Sequence, residues 1–139
     1  MLSWIKVSFP DKYRGRIFLD KSSLLDYIII MTIKTKEFFT SYAPDCRKRH
    51  LHKRDKNKLI EFSIQLEILV KDKWYPVIRY DTSHKFAHCD IIHWSGKKEK
   101  VAIPTLDFKI ALSFADNDLS QNWNIYRERF LKEISYDKR

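Results

Sequence analysis

Glycine is nearly absent: the 139 residues include two. Little backbone is therefore free to wrap a phosphate in a glycine-rich loop, and neither a P-loop nor a dinucleotide fingerprint occurs. Cysteine is as scarce. Cys46 and Cys89 lack CxxC spacing, and two lone thiols do not make a disulfide scaffold, so a reduced, cytoplasmic protein is expected. Long apolar runs are missing too. Tyr27 to Met31, with Ile33 beyond, falls far short of the roughly 20 residues that span a bilayer. Lys6 and Asp11 interrupt any apolar stretch of the kind that begins a secretory signal. Neither export nor membrane insertion is expected, and there is no internal repeat or low-complexity segment.

Acid is scarce in the first part of the chain. Residues 1–58 hold 14 Lys/Arg against 6 Asp/Glu, and residues 59–139 hold 13 against 12, so a net +8 faces a net +1. A cationic surplus gathered on one segment is the footprint of a phosphate-backbone binder. The densest part runs from Cys46 to Lys58, where Arg47, Lys48, Arg49, Lys53 and Arg54 are the candidate backbone contacts. Phe38, Phe39 and Tyr42 nearby offer rings on which unpaired bases can stack. A merely solvated charge run is the plain alternative. Asp45 to Lys58 lacks a hydrophobic period and reads as an exposed arm or long loop.

Size and composition predict one domain, a basic segment over 1–58 and a patterned region over 59–139. The opening twenty residues carry short apolar patches (Trp4-Ile5, Ile17-Phe18-Leu19) that read as one or two short strands. Leu24 to Ile33 fits a helix capped by Ser22 or Ser23, or a buried β-branched strand, and the pattern does not separate the two. From Phe62 the period is clear. Phe62, Ile64, Leu66 and Ile68 alternate with Glu61, Ser63, Gln65 and Glu67, as in a strand with one buried and one wet face. Lys71-Asp72-Lys73 reads as a three-residue hairpin connection, followed by a strand over Trp74–Asp81. Trp74, Pro76, Ile78 and Tyr80 would share one face and Val77, Arg79 and Asp81 the other, with Pro76 marking an edge or a bulge. Strands over His88–Trp94 and Lys100–Ile103 follow, joined by a turn at Ser95–Lys98. Thr105 is the expected N-cap of a helix whose apolar stripe runs Phe108, Leu112, Ala115, Leu119, Trp123, Tyr126, Phe130 and Ile134, with an interruption near Asp118–Ser120. The fold class expected is α+β: an antiparallel β-meander covered by a long C-terminal amphipathic helix.

Between two of those strands, Arg79 to Asp90 packs one arginine, two acids and two histidines into twelve residues. Alternation gives Arg79 and Asp81 one face and His88 and Asp90 one face. If the strands pair, His84, His88, Asp81, Asp90 and Arg79 converge on the polar side, which Glu61, Ser63, Gln65 and Glu67 share. Such a set suits metal-independent RNA cleavage, where the 2′-hydroxyl is the nucleophile. His84 and His88 would move protons, Arg79 would offset phosphorane charge, and Asp81 and Asp90 would orient the histidines. Structural readings stand beside this one: an Arg79–Asp81 salt bridge, histidines bonded to backbone, His93 packed among aromatics, and Cys89 as a small buried hydrophobe. A metal held by His84, His88 and an aspartate is the second chemical reading. HxxxH is a helical ligand spacing, however, and here it straddles a loop, so no metal and no cofactor is assigned. Cys46, His50 and His52 form a thinner set without a fourth ligand.

The run Arg79-Tyr80-Asp81-Thr82-Ser83-His84, followed by His88 and Asp90, resembles a group of small prokaryotic proteins with an RYD-(T/N)-x-H segment and a downstream H-x-D. It is also similar, at the RYD-plus-histidines segment, to the TumE-type toxins of toxin–antitoxin modules. In those the tract after RYD is longer and richer in histidine and proline. The resemblance implies a cytoplasmic, RNA-directed toxin paired with an antitoxin protein; the clustered groups and the basic segment make the leading reading a toxin-like endoribonuclease, with RNA rather than DNA as nucleic-acid partner. The other readings are a non-catalytic nucleic-acid-binding accessory protein and an interaction module. In the module, the helix, with Trp123 and Tyr126, docks a partner or a second copy as a homodimer.

Overall fold

The computed structural model describes residues 5–7, 17–19, 21–22, 24–25 and 32–138. The chain forms two compact units, 1–34 and 35–139. In the first, β1 (Ile5–Val7) pairs antiparallel with β2 (Ile17–Leu19), where the short apolar patches predict strands. Residues 26–31, which hold most of the helix-or-strand segment, lie outside the described residues.

The larger unit is a six-stranded sheet in simple meander order. Its strands are β3 (Ile33–Ala43), β4 (Cys46–Asp55), β5 (Lys58–Val70), β6 (Lys73–Asp81), β7 (His88–Ile92) and β8 (Lys98–Ala102). One helix, α1 (Phe108–Asp137, 30 residues), packs against it, which makes the class α+β as the periodicity predicts. Among the described residues no helix is long and apolar enough to cross a membrane.

β5 organises the unit. Phe62, Ile64, Leu66 and Ile68 are each fully buried and lie on the side that receives α1. The helix answers with Ala111, Ala115, Leu119, Phe130 and Ile134, while Phe108, Leu112, Trp123 and Tyr126 pack at its margins. Small residues at Ala111 and Ala115 let the backbones approach, and rings close the ends: Phe108 meets Phe62, Trp123 stacks on Tyr42, and Phe130 meets Tyr75 and Trp94. Polar anchors fix the axial position of α1. Tyr80 Oη and Tyr126 Oη both donate to Asp118 Oδ2 at 2.7 Å. Burial, then the bond to Asp118, pushes both phenols well above the ordinary tyrosine range. Arg127 grips Asp45 through Nε and Nη2, and Glu133 accepts from the Trp94 N–H.

Several local expectations are corrected. Cys46–Asp55 is not an arm: it is a strand paired with β5 over its whole length, from Cys46 opposite Ile68 to Asp55 opposite Lys58. The hydrophobic period is hidden because its core-facing positions are Cys46, Lys48 and His50, and only the first of these is an apolar residue. The β5–β6 connection has two residues, Lys71 and Asp72, with φ of 48° and 66°, the pair of positive φ values that a tight hairpin requires. The bulge that Pro76 leads one to expect is present and splits β6, which alters the expected faces. Trp74 and Pro76 lie opposite Leu69 and Glu67, whereas Ile78 and Tyr80 lie opposite Leu66 and Ile64 on the helix side. So the four residues do not share one face. The helix is uninterrupted and its N-cap is Asp107, whose Oδ1 accepts from the Lys109 and Ile110 N–H groups. Thr105 instead accepts from the Asp107 N–H through Oγ1. His93 is held by Glu133 and Glu99, not by aromatic rings.

Leu66 is at the centre of this contact, and its truncation leaves a cavity under α1. Leu66→Ala is expected to lower stability by about 2–5 kcal/mol, read as a fall in urea midpoint at unchanged slope. A change below about 0.5 kcal/mol would contradict the assigned core.

Candidate functional site

The second face of the sheet is polar because antiparallel partners share a side. Register places Arg49, Gln65, Arg79, Asp90 and Lys100 in one row across β4 to β8, and Leu51, Ser63, Asp81, His88 and Ala102 in the next. The convergence expected from alternation is therefore present for Arg79, Asp81, His88 and Asp90, and the polar residues of β5 lie on the same face.

Asp81 closes β6 and is tightly oriented. Its Oδ1 accepts from Ser83 N–H at 3.1 Å and from Ser83 Oγ at 2.9 Å, a local Asx-type turn that starts the loop. His88 Nε2 lies 2.9 Å from the same oxygen and 3.8 Å from Asp90 Oδ2. His88 Nδ1 is turned to the Phe86 carbonyl at 3.4 Å. His88 is 1% exposed and Asp90 8%, and Asp90 Oδ1 has no hydrogen-bond partner among the described residues. His84 sits on the exposed loop and stacks its ring on that of His88, centroids 5.7 Å apart. Arg79 does not pair with Asp81. Its Nε donates to Gln65 Oε1 at 2.9 Å, and no carboxylate among the described residues forms an ion pair with it.

A cavity of about 280 Å³ opens beside this group. Arg49 and Arg79 line it together with Ser63, Gln65, Asp81 and Ser83. His88 and Asp90 lie behind Asp81 and do not line it. Ser83 is a contributor that the sequence reading missed; Asp-x-Ser after a strand is the signal that marks it.

The five basic residues of β4 do not form one free surface. Lys48 turns to the helix side and pairs with Asp116. Arg47 pairs with Glu67 at 2.6 Å, its guanidinium between the rings of Phe39 and Trp74. Arg49 pairs with Glu37 at 2.6 Å and Lys53 with Glu61 at 3.1 Å, while Arg54 Nη1 reaches the Asn57 carbonyl at 3.4 Å. Tyr42 stacks on Trp123 and Phe38 on His50, so among the three expected base-stacking rings Phe39 alone lies on the polar face, against Arg47.

Neither thiol is placed for chemistry. Burial, and then Asp45, pushes Cys46 up to about 12, and burial pushes Cys89 up to about 11. Both are free and buried, Cys89 as the small hydrophobe expected. Among the described residues, Asp81, His88 and Asp90 form the group whose ligand atoms converge at metal-binding distances, all within 4.8 Å of one another. His84 is not in that set, nor are Cys46, His50 and His52.

One family matches the chain, described as a domain of unknown function, DUF7718, over residues 33–135. The chain belongs to that family. No curated protein and no solved structure matches it. The DUF7718 segment runs from the first residue of β3 almost to the end of α1, so it takes in the sheet, the cavity and the Asp81–His88–Asp90 group together.

On the helix side of the same domain, His50 and His52 bond ring to ring at 2.9 Å. Burial, then His52 and Lys48, push His50 down to about 4 from its ordinary 6.5. The folded chain thus resists a proton that the unfolded chain accepts. This part of the stability is complete above about pH 6.5 and is lost as pH falls toward about 4. His50→Phe, which keeps a ring against Phe38, is expected to flatten the fall of the urea midpoint across that window. Parallel curves for the two proteins would show that His50 titrates normally.

Proposed function

We propose that the chain binds RNA on the polar face of the sheet and cleaves its backbone at the Asp81 end of the cavity, as a toxin-like endoribonuclease. One observation carries the reading. An arginine without a carboxylate partner, Arg79, and an oriented carboxylate, Asp81, line one cavity, with His88 behind Asp81 and His84 stacked on His88.

The burial of His88 favours a division of labour different from the one expected from the sequence. Asp81 faces the substrate and accepts the 2′-hydroxyl proton, while Ser83 holds its carboxylate in place through N–H and Oγ and the buried His88 stays behind it. The 2′-oxygen forms a bond to phosphorus and the bond to the 5′-oxygen breaks, leaving a 2′,3′-cyclic phosphate. His84, exposed on the loop and stacked on His88, supplies the proton that the departing 5′-oxygen takes up. Arg79, with Arg49 across the cavity, offsets the charge on the phosphorane. An antitoxin partner follows from the same resemblance that suggested the toxin.

A second reading, an interaction module, has its own observation. Trp123 and Tyr126 are turned inward, but Ile110, Phe114 and Ile125 are exposed at spacings that share one helix face.

Labelled total RNA incubated with the purified protein tests the leading reading. Cleavage is expected, with Arg79→Ala and Asp81→Asn each slowing it by about 100- to 1,000-fold and a near-ultraviolet spectrum unchanged from wild type. Full cleavage by both variants would sink the assignment. Retardation of RNA without turnover would favour a nucleic-acid-binding accessory protein, and concentration-dependent mass without RNA affinity would favour the module.

A further inference from the structure

We infer that Asp81, His88 and Asp90 bind one divalent transition-metal ion, Mn²⁺ or Zn²⁺, behind the cavity wall. This goes beyond the proposed RNA cleavage and stands on the geometry of the three side chains.

The first support is spacing. A transition ion sits roughly 2.0–2.2 Å from nitrogen and oxygen ligands, which sets neighbouring ligand atoms about 3.0–3.5 Å apart in tetrahedral or octahedral arrangements. His88 Nε2 lies 2.9 Å from Asp81 Oδ1 and 3.8 Å from Asp90 Oδ2, and the three ligand atoms all fall within 4.8 Å. Closing the widest of these separations by about an ångström brings the set to an ion.

The second support is the orientation of the imidazole. A metal-bound histidine gives its other ring N–H to a carbonyl or carboxylate, which fixes the tautomer and aims the free lone pair at the ion. His88 Nδ1 is turned to the Phe86 carbonyl, and Nε2 is left facing two carboxylates. A hydrogen bond alone would satisfy Asp81 but gives Asp90 nothing at bonding distance.

The third support is that unmet need. Asp90 is more than nine-tenths buried, and its Oδ1 has no partner among the described residues. A buried carboxylate oxygen without a donor is costly; Oδ2 is the oxygen turned to His88, and a cation held by both Asp90 oxygens removes that cost. Asp81 is already held by Ser83 N–H and Oγ, the kind of outer support that ligating carboxylates have. One nitrogen and two carboxylates form a mixed set that suits Mn²⁺ or Zn²⁺ better than the all-oxygen preference of Mg²⁺ and Ca²⁺. Three protein ligands leave coordination positions open, and Asp81 connects the ion to the cavity.

The test is equilibrium dialysis of the EDTA-stripped full chain against Mn²⁺ and, separately, Zn²⁺, with metal content read per chain. One ion per chain is expected. Asp90→Asn and His88→Gln should each weaken binding at least tenfold, with their circular dichroism unchanged; Asp90→Asn preserves shape should His88→Gln fail to fold. Wild-type chain that retains neither ion, or retention unaltered in Asp90→Asn, would overturn the inference. RNA cleavage is a separate readout. Protein that binds the ion and leaves RNA intact would uphold the site and sink the ribonuclease. Protein that cleaves RNA in EDTA and takes up no ion would do the reverse.

Discussion

Side chains of a β-strand alternate, and the larger unit depends on how that rule is applied at β5. Four consecutive inward positions, Phe62, Ile64, Leu66 and Ile68, are apolar and fully buried. Their alternates Glu61, Ser63, Gln65 and Glu67 face the other way. Because antiparallel neighbours share a side, fixing β5 fixes its partners. A slip of one residue would drive Glu67 and Gln65 beneath α1 and turn Leu66 to the polar side. The apolar contact that holds the helix and the polar group that carries the proposed chemistry are thus two outcomes of one register.

Charge on the polar face is mostly matched. Arg47, Arg49 and Lys53 each meet a carboxylate from a neighbouring strand. The two exposed pairs, Arg49–Glu37 and Lys53–Glu61, contribute little apiece, and the main effect of all three is to hold long side chains in one place and to lessen the field that a net +9 would otherwise project. Arg79 differs in having a neutral amide as its partner. A guanidinium that keeps donors available beside a cavity can meet an incoming anion without first breaking an ion pair.

The regions of the chain that could be read were those where one period dominated. The alternation of β5 and the three- and four-residue steps of α1 both gave the observed elements, and the shared face of Arg79, Asp81, His88 and Asp90 followed from alternation alone. β4 was illegible because a lysine and a histidine stand where a hydrophobe is expected: Lys48 lies buried with its ammonium on Asp116, and His50 lies beneath Phe38. The pattern of β6 failed at Pro76 because a bulge adds a residue to one strand, and a period of two cannot count it. In the loop, the separation of roles between His84 and His88 was invisible. Four residues apart, they differ in whether β7 has begun, which leaves one ring exposed and encloses the other.

The meander order has a consequence for how the protein is made. Every strand of the six-stranded sheet pairs with its neighbour in sequence, and the 30 residues of α1 follow them all. A chain emerging N-terminus first can therefore assemble its hairpins as they leave the ribosome. The face holding Phe62, Ile64, Leu66 and Ile68 then stays bare until α1 is free to close on it. At about 5–20 residues per second, that interval lasts seconds, long against the microseconds in which a hairpin forms. During it, the apolar face of the nascent sheet lies open to water and to other exposed apolar surface.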